Sequence, residues 1–470
     1  MVSVGMRLPP FRLARLLMLA LMLVFAAAQP AAAQSVLRDS ETELLFRDIS
    51  SPLITAAGLD PKSTQVVLLN DPEINAFVAT GQTVYIQSGL LVASDNVNQL
   101  QGVIAHELGH VAGGHAIRMQ SGAGEATGIS IATMVLGALA LAAGAGDAGV
   151  GIMMAGQRAA MGRFLAFTRA QESSADLAGA KYLSTAGVTG KGSLEFFKKL
   201  QNQEFRLAVA EKDSYDRTHP LSSERINALR EVYEKDPAWN RQLDPALEAR
   251  FQRVKAKLIG FVDPRRATIK YPESDQSVPG HYARAYAYHV SAYPDKALSE
   301  AEALLRTNPT DPFYLELKGQ ILLESGKPAE AIAPLREATR LSGDQPLIAA
   351  MLGHALISTE DPKQFAEAKQ VLKEAVNRDN QNPFAWYQLG IIYDREGDTS
   401  RAALATAERN NLEGNPRLAL VSAEMALKGI PRGSPDYLRA QDIAMVSRAE
   451  LKTNKRDRSD QGPVSGLNRR

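Results

Sequence analysis

Cysteine is absent from all 470 residues. That excludes a disulfide framework, every thiolate metal site and every cysteine nucleophile. A chain without cross-links must be held by its own core, by metal, or by both, and any metal has to sit on histidine and carboxylate ligands. Histidine is scarce as well, with seven in the chain. An excess of charge of one sign is also missing. The 53 basic and 52 acidic residues leave a net charge of +1, which argues against a nucleic-acid-binding surface over the whole molecule, so no nucleic-acid partner is expected. The apolar fraction of 45% is ordinary for folded protein, and the length calls for two or three domains.

Long apolar runs are rare. Arg7, Arg12 and Arg15 precede an apolar stretch from Leu16 to Ala28, which is short of the ~20 residues a membrane span needs. Ala31-Ala32-Ala33 then offers a cleavage site before Gln34, with a second after Ala28. Residues 1–33 therefore read as an export signal that is removed, the alternative being an uncleaved anchor. The other apolar stretch is 128–156, where Asp147 is the only charge and the second half is rich in glycine. It reads as a buried or membrane-touching helical hairpin, and an exposed one would be a contact surface for lipid.

The rest of the pattern implies an α+β fold that is mainly α. Val66–Leu69 and Thr83–Gln87 read as strands, with a turn at Asn70-Asp71-Pro72, and helical spacing runs from Asn96 to about Arg118. These features place a domain with a small sheet at 34–250. Pro264, Pro272 and Pro279 mark 251–280 as a connecting arm. Beyond it, Ala297, Ala331, Ala368 and Ala402 recur at nearly constant spacing, and Trp386, Leu389, Gly390 and Tyr393 reproduce the tetratricopeptide pattern W-x2-L-G-x2-Y. Residues 281–450 are accordingly expected to form an α-solenoid of tetratricopeptide-like helix pairs, with a three-residue insertion near Glu360-Asp361-Pro362. The charged stretch 451–470 reads as a disordered tail.

The strongest chemical signal is His106-Glu107-Leu108-Gly109-His110. Four residues on a helix advance about 400°, so both imidazoles project from one face and can bind one ion. Glu107, beside them, can take a proton from a water on that ion as it attacks a peptide carbonyl. His115 is five residues further on, which on a continuous helix turns it away, and the third histidine of the metzincin spacing would fall on Ala116. It reads as a structural histidine. Glu172 and Asp176 are four apart, so one carboxylate can bind the metal while the other orients a ligand imidazole. An ordinary exposed helix face would show the same spacing.

These motifs together resemble the gluzincin metalloprotease family that contains HtpX and the CAAX prenyl proteases. Asn75-Ala76-Phe77, Tyr85-Ile86, Gly89-Leu90-Leu91, His219-Pro220-Leu221 and Glu224-Arg225-Ile226 carry further likeness. The leader and the C-terminal repeats place the resemblance with its periplasmic, beta-barrel assembly-enhancing (BepA-like) branch. The resemblance implies one zinc ion on His106, His110 and Glu172, with Glu107 catalytic and Asp176 supporting a ligand. It further implies that His219 sits over the metal as a removable cap in a latent state. Arg225 would contact substrate or oxyanion, or else serve in a structural salt bridge. An extended substrate is expected to pair with the strand Thr83–Gln87 if that strand is an edge. The implied partners are unfolded or misassembled envelope proteins, the outer-membrane β-barrel assembly machinery through the repeats, and a membrane surface. The competing readings are a chaperone or scaffold with a latent or structural metal site, and a polytopic membrane protease, which one doubtful apolar segment does not support.

Overall fold

A computed structural model describes residues 35–79, 81–142, 146–206, 219 and 222–460. The expected export signal, residues 1–33, lies outside them.

The first unit begins with α1 (Ser40–Ala56), capped by the Asp39 side chain, which accepts from Thr42 N–H. Three short strands follow: β1 (Gln65–Leu69), β2 (Ala76–Val78) and β3 (Thr83–Gln87). Their order is β1-β3-β2, with β3 parallel to β1 and antiparallel to β2. The strand Thr83–Gln87, expected as a candidate edge, is thus the central one. Val84 and Ile86 face the core without exposure, and both sides of β3 are already paired. The outer edge of β1 is bridged by Val36, and the other edge of the sheet belongs to β2.

The helices α2 (Ser88–Ala93), α3 (Val97–Gly113), α4 (His115–Ala142), α5 (Gly146–Thr185), α6 (Lys191–Arg206) and α7 (Ser223–Glu234) complete this unit. Its core joins Leu45, Ile49 and Leu53 of α1, Leu100, Ile104 and Leu108 of α3, Leu183 of α5 and Phe196 and Phe197 of α6. The outer part of α4 and the first half of α5 form the apolar hairpin. They leave Ile131, Met134, Val135, Leu136, Val150 and Met154 exposed. Among the described residues, no helix is long and apolar enough to cross a membrane.

The expected arm at 251–280 is mostly ordered helix. Helix α8 (Pro245–Val262) buries Phe251 and Val254 in the first core, and its Ala256 and Ile259 pack with Ala267, Ala283 and Ala287. The prolines do not loosen this stretch because Pro264 and Pro279 fall in first turns, of α9 (Pro264–Lys270) and α10 (Val278–Val290), where a missing N–H costs nothing. A methyl group at Gly260 would lie 2.3 Å from Ala283 O, so α8 and α10 are pressed together.

From α10 the chain winds as helix pairs: α11 (Pro294–Thr307), α12 (Pro312–Glu324), α13 (Pro328–Leu341), α14 (Pro346–Ser358), α15 (Pro362–Arg378), α16 (Pro383–Arg395), α17 (Thr399–Leu412) and α18 (Pro416–Ala426). Nearly every helix opens on proline, commonly after an Asp or Asn whose side chain caps it. Within pairs, Gly319 faces Leu335 and Gly353 faces Leu372 so closely that a Cβ would meet a leucine carbon at 2.4–2.5 Å. Ala297, Ala331 and Ala368 are fully enclosed, whereas Ala402 is partly buried. The last helix, α19 (Pro435–Asp460), continues through 451–460, where a disordered tail was expected. Lys and Arg propagate a helix that is already nucleated, even without an apolar face. The remainder of the expected tail, 461–470, lies outside the described residues.

Candidate metal centre

Helix α3 begins at Asn96, whose side chain accepts from Gln99 N–H, and is buried from Val97 to His110. Two glycines let α5 lie against it. A Cβ on Gly109 would fall 2.7 Å from Ala175 O, and one on Gly179 would fall 3.0 Å from Ala105 O. This close crossing brings Glu172 and Asp176 beneath the two histidines of α3. The sequence spacing suits both sides, since His106/His110 and Glu172/Asp176 are each one turn apart.

The donor atoms converge. His106 Nε2 and His110 Nε2 are 3.1 Å apart, and they lie 3.4 and 3.3 Å from the Glu172 oxygens. His219 enters from outside these helices, with Nδ1 3.2 Å from both Glu172 oxygens and 3.4 Å from His106 Nε2. One ligand atom from each of the four residues falls within 4.8 Å of the others. Four donors held ~2.0 Å from one tetrahedral ion are separated by roughly 3.3 Å. The separations of 3.1–3.4 Å within this cluster match that value, so the residues fit zinc. Glu107 adds a second sign of fit. It is fully buried, yet both its oxygens are without a hydrogen-bond partner, a costly arrangement unless water or ligand completes it.

A supporting layer holds these donors in place. His106 Nδ1 lies 2.9 Å from Asp176 Oδ1. Arg225, on α7, donates from Nε to Asp176 Oδ2 at 2.7 Å and from Nη2 to Asp176 Oδ1 at 2.9 Å, and its Nη2 is 3.1 Å from Glu172 Oε2. Arg225 is thus a buried clamp on the two carboxylates of α5, engaged in ion pairs. Burial opposes charge on His106, but Asp176 and Glu172 outweigh it and lift the imidazole to about 10. Burial likewise opposes ionisation of Glu172, yet the three imidazoles around it drive its pKa far below the carboxylate range.

Two features were missed by sequence reasoning. His115 does not turn away. Gly114 adopts φ 62°, ending α3 in a left-handed cap, and the new helix starts at His115. Its Nδ1 comes to 2.9 Å from His110 Nδ1, supporting that ring from behind. The Gly113-Gly114 pair was the available signal for such a break. The second feature is Ala76 O on β2, 3.2 Å from His219 Nε2, which no side-chain motif could announce.

The peptidase family M48 profile matches residues 40–233. The beta-barrel assembly-enhancing protease of Yersinia pestis is 27% identical over 388 residues, covering 79% of this chain and 76% of that protein. Its namesake in Escherichia coli (strain K12) is 27% identical over 382 residues, 78% of this chain and 75% of that one. The metalloprotease LoiP of Escherichia coli (strain K12) is 29% identical over 181 residues, 37% of this chain and 64% of LoiP.

Proposed function

With residues 40–233 a peptidase family M48 domain and the chain a metalloendopeptidase, we propose that it hydrolyses peptide bonds of misfolded or stalled envelope proteins in the periplasm, in the quality control of outer-membrane β-barrels. The carrying observation is the four-donor cluster with the buried Glu107 at its side, whose oxygens make no hydrogen bond and of which Oε1 lies 3.5 Å from His219 Nε2.

His106, His110 and Glu172 would hold zinc, and His219 would complete the set in the resting state. Zinc, when bound, supplies a Lewis acid that brings the pKa of water toward ~7 and polarises the scissile carbonyl. Glu107 takes the proton from the attacking water and returns it to the leaving amine. Asp176 holds the ring of His106 through Nδ1, and Arg225 fixes Asp176 and Glu172 in turn. An extended substrate adds to the open edge of β2 by main-chain pairing, a mode that tolerates many side chains. Ala76 O, now facing His219 Nε2, is the acceptor such a strand would use. His219 therefore occupies both a donor position at the metal and a place at the substrate edge.

The envelope setting is supported by the N-terminal leader pattern and by relatives that carry the name beta-barrel assembly-enhancing protease. The repeats offer a concave surface for the β-barrel assembly machinery or an incoming client. A second reading, a chaperone whose metal site stays latent, is favoured by the position of His219.

Degradation of an unfolded β-barrel client by the purified protein, with bound zinc assayed alongside, separates these readings. Glu107→Gln should bind about one zinc and lose activity by about 10²–10⁴-fold. His219→Ala should keep zinc and cleave faster than the unsubstituted protein. Client binding without cleavage by all three proteins would favour the chaperone.

A further inference from the structure

Helix α9 buries one side chain, Ala267, against α8 and α10. At about 100° per residue, Arg265, Ile269, Arg266 and Lys270 share one arc that leaves Ala267 outside it. All four are exposed, and Ile269, at 77%, is the most exposed large apolar side chain among the described residues. One exposed isoleucine is ordinary, but this one stands among cations that lack counter-ions. Among the described residues, Arg265, Arg266 and Lys270 form no ion pair. The Lys270 ammonium rests 5.3 Å from the centre of the Tyr271 ring.

The positive charge continues beyond the helix. Lys255 of α8 is 5% exposed and donates to Ser94 O, while Lys199 of α6 donates to Ala93 O and to Asp95, each at 2.6 Å. Burial first, then repulsion from Lys270, Lys199 and Arg266, lowers the Lys255 ammonium to about 8. Burial and Arg266 lower Lys270 in the same sense. The two carboxylates at hand are already engaged: Asp95 by Lys199, and Asp263 as the cap that accepts from Arg266 N–H. Val262, two helical turns beyond Lys255 on the same face of α8, is 38% exposed. Basic groups around protruding apolar ones complement a surface that offers anions above hydrocarbon, which is the make-up of an anionic lipid leaflet. A phosphate in solution would use the cations and leave Ile269 idle.

We propose that α9, with the end of α8, is a docking surface for an anionic membrane, in which Arg265, Arg266 and Lys270 contact phosphate headgroups and Ile269 enters the interface. The surface shares no residue with the metal centre, so it stands whether or not the protease reading does. It is also distinct from the apolar hairpin of α4 and α5, which carries no such ring of charge.

The test is co-sedimentation of the full-length protein with vesicles of phosphatidylglycerol and phosphatidylcholine in equal parts, and with phosphatidylcholine alone. Met134→Ser, Leu136→Ser and Met154→Ser are present throughout, so that the hairpin does not contribute. Binding should require phosphatidylglycerol and weaken as salt is raised. Arg265→Ser, Arg266→Ser and Lys270→Ser together should weaken it by about 100-fold. Ile269→Ser alone should weaken it by about tenfold. All these side chains are exposed, so thermal unfolding should stay unchanged and serves as the check on folding. No binding to phosphatidylglycerol vesicles, or equal binding by the charge variant, overturns the proposal. An Ile269→Ser protein that binds as before also overturns it, by reducing the patch to a site for free anions such as glycerol phosphate. Capture of an oligoglutamate peptide in place of vesicles would assign the patch to an acidic polypeptide instead and overturn the lipid reading.

Discussion

Asp176 is buried 2.9 Å from His106 Nδ1, where it would set how that ring is presented to a metal. Its Oδ1 meets both His106 Nδ1 and Arg225 Nη2, and its Oδ2 accepts from Arg225 Nε. Asparagine in its place keeps the size but presents an amide and loses the charge that steadies the ring. Loss of such a support usually lowers metal affinity by about 10–100-fold. We therefore expect Asp176→Asn to bind zinc about 10–100-fold more weakly in a chelator competition, with the metal-free protein also losing stability because the buried Arg225 loses one ion-pair partner and keeps Glu172. A variant that holds zinc as tightly as the unsubstituted protein would remove Asp176 from this role. At this scale, the local part of the site was legible in the sequence. His106 with His110, and Glu172 with Asp176, obey helical spacing, which depends on neighbouring residues alone. The position of His115 was not legible, because Gly114 resets the helix direction and no periodicity survives such a break. A structural salt bridge was one of the two roles read for Arg225, but its partner Asp176, 49 residues away in sequence, was hidden.

Elements show the same division between local and long-range information. Strands β1 and β3 were visible as strands, but the order β1-β3-β2 depends on where β3 inserts after β2 has been laid down. The pairing makes β3 central, so the edge we propose for substrate is that of β2. The prolines of 251–280 carried a local signal with two meanings, a break or a first helical turn, and packing of α8 against both cores selected the second. The hairpin of α4 and α5 was legible in composition, and its exposed face is what the structure adds. Ile131, Met134, Val135 and Leu136 stand in solvent on α4, opposite Val150 and Met154 on α5. Apolar clusters of this kind mark contact surfaces. If lipid is the contact, the protein should float with vesicles containing anionic lipid, and the triple variant Met134→Ser, Leu136→Ser, Met154→Ser should float much less while keeping its zinc. Equal flotation of the two proteins would show that the hairpin does not carry membrane binding.

On the scale of the whole molecule, the two units are joined by buried charge as well as by apolar contact. Asp39 and Glu41 at the start of α1, Arg253 and Lys257 on α8, and Asp311 at the cap of α12 form one linked set. Tyr282 of α10 donates to Glu41 at 2.6 Å within it. Removing one member of such a set leaves another unpaired in the interior, so the sheet-bearing unit and the first repeats should respond together to perturbation. Glu316 sits at the edge of this set. Burial raises its carboxyl from 4.5 to about 8, with Lys257 pulling the other way and Asp39 and Glu41 adding to the rise. The unfolded chain ionises Glu316 near its ordinary value, whereas the folded chain keeps the proton until about pH 8. The folded state therefore binds more protons between those limits, and its stability falls as pH climbs through them. Glutamine at 316 has no such dependence. Chemical denaturation across pH should find Glu316→Gln and the unsubstituted protein nearly equal near pH 4, and the variant ahead by about 2 kcal/mol or more near pH 8. A constant difference across the range would mean that Glu316 is already ionised in the fold.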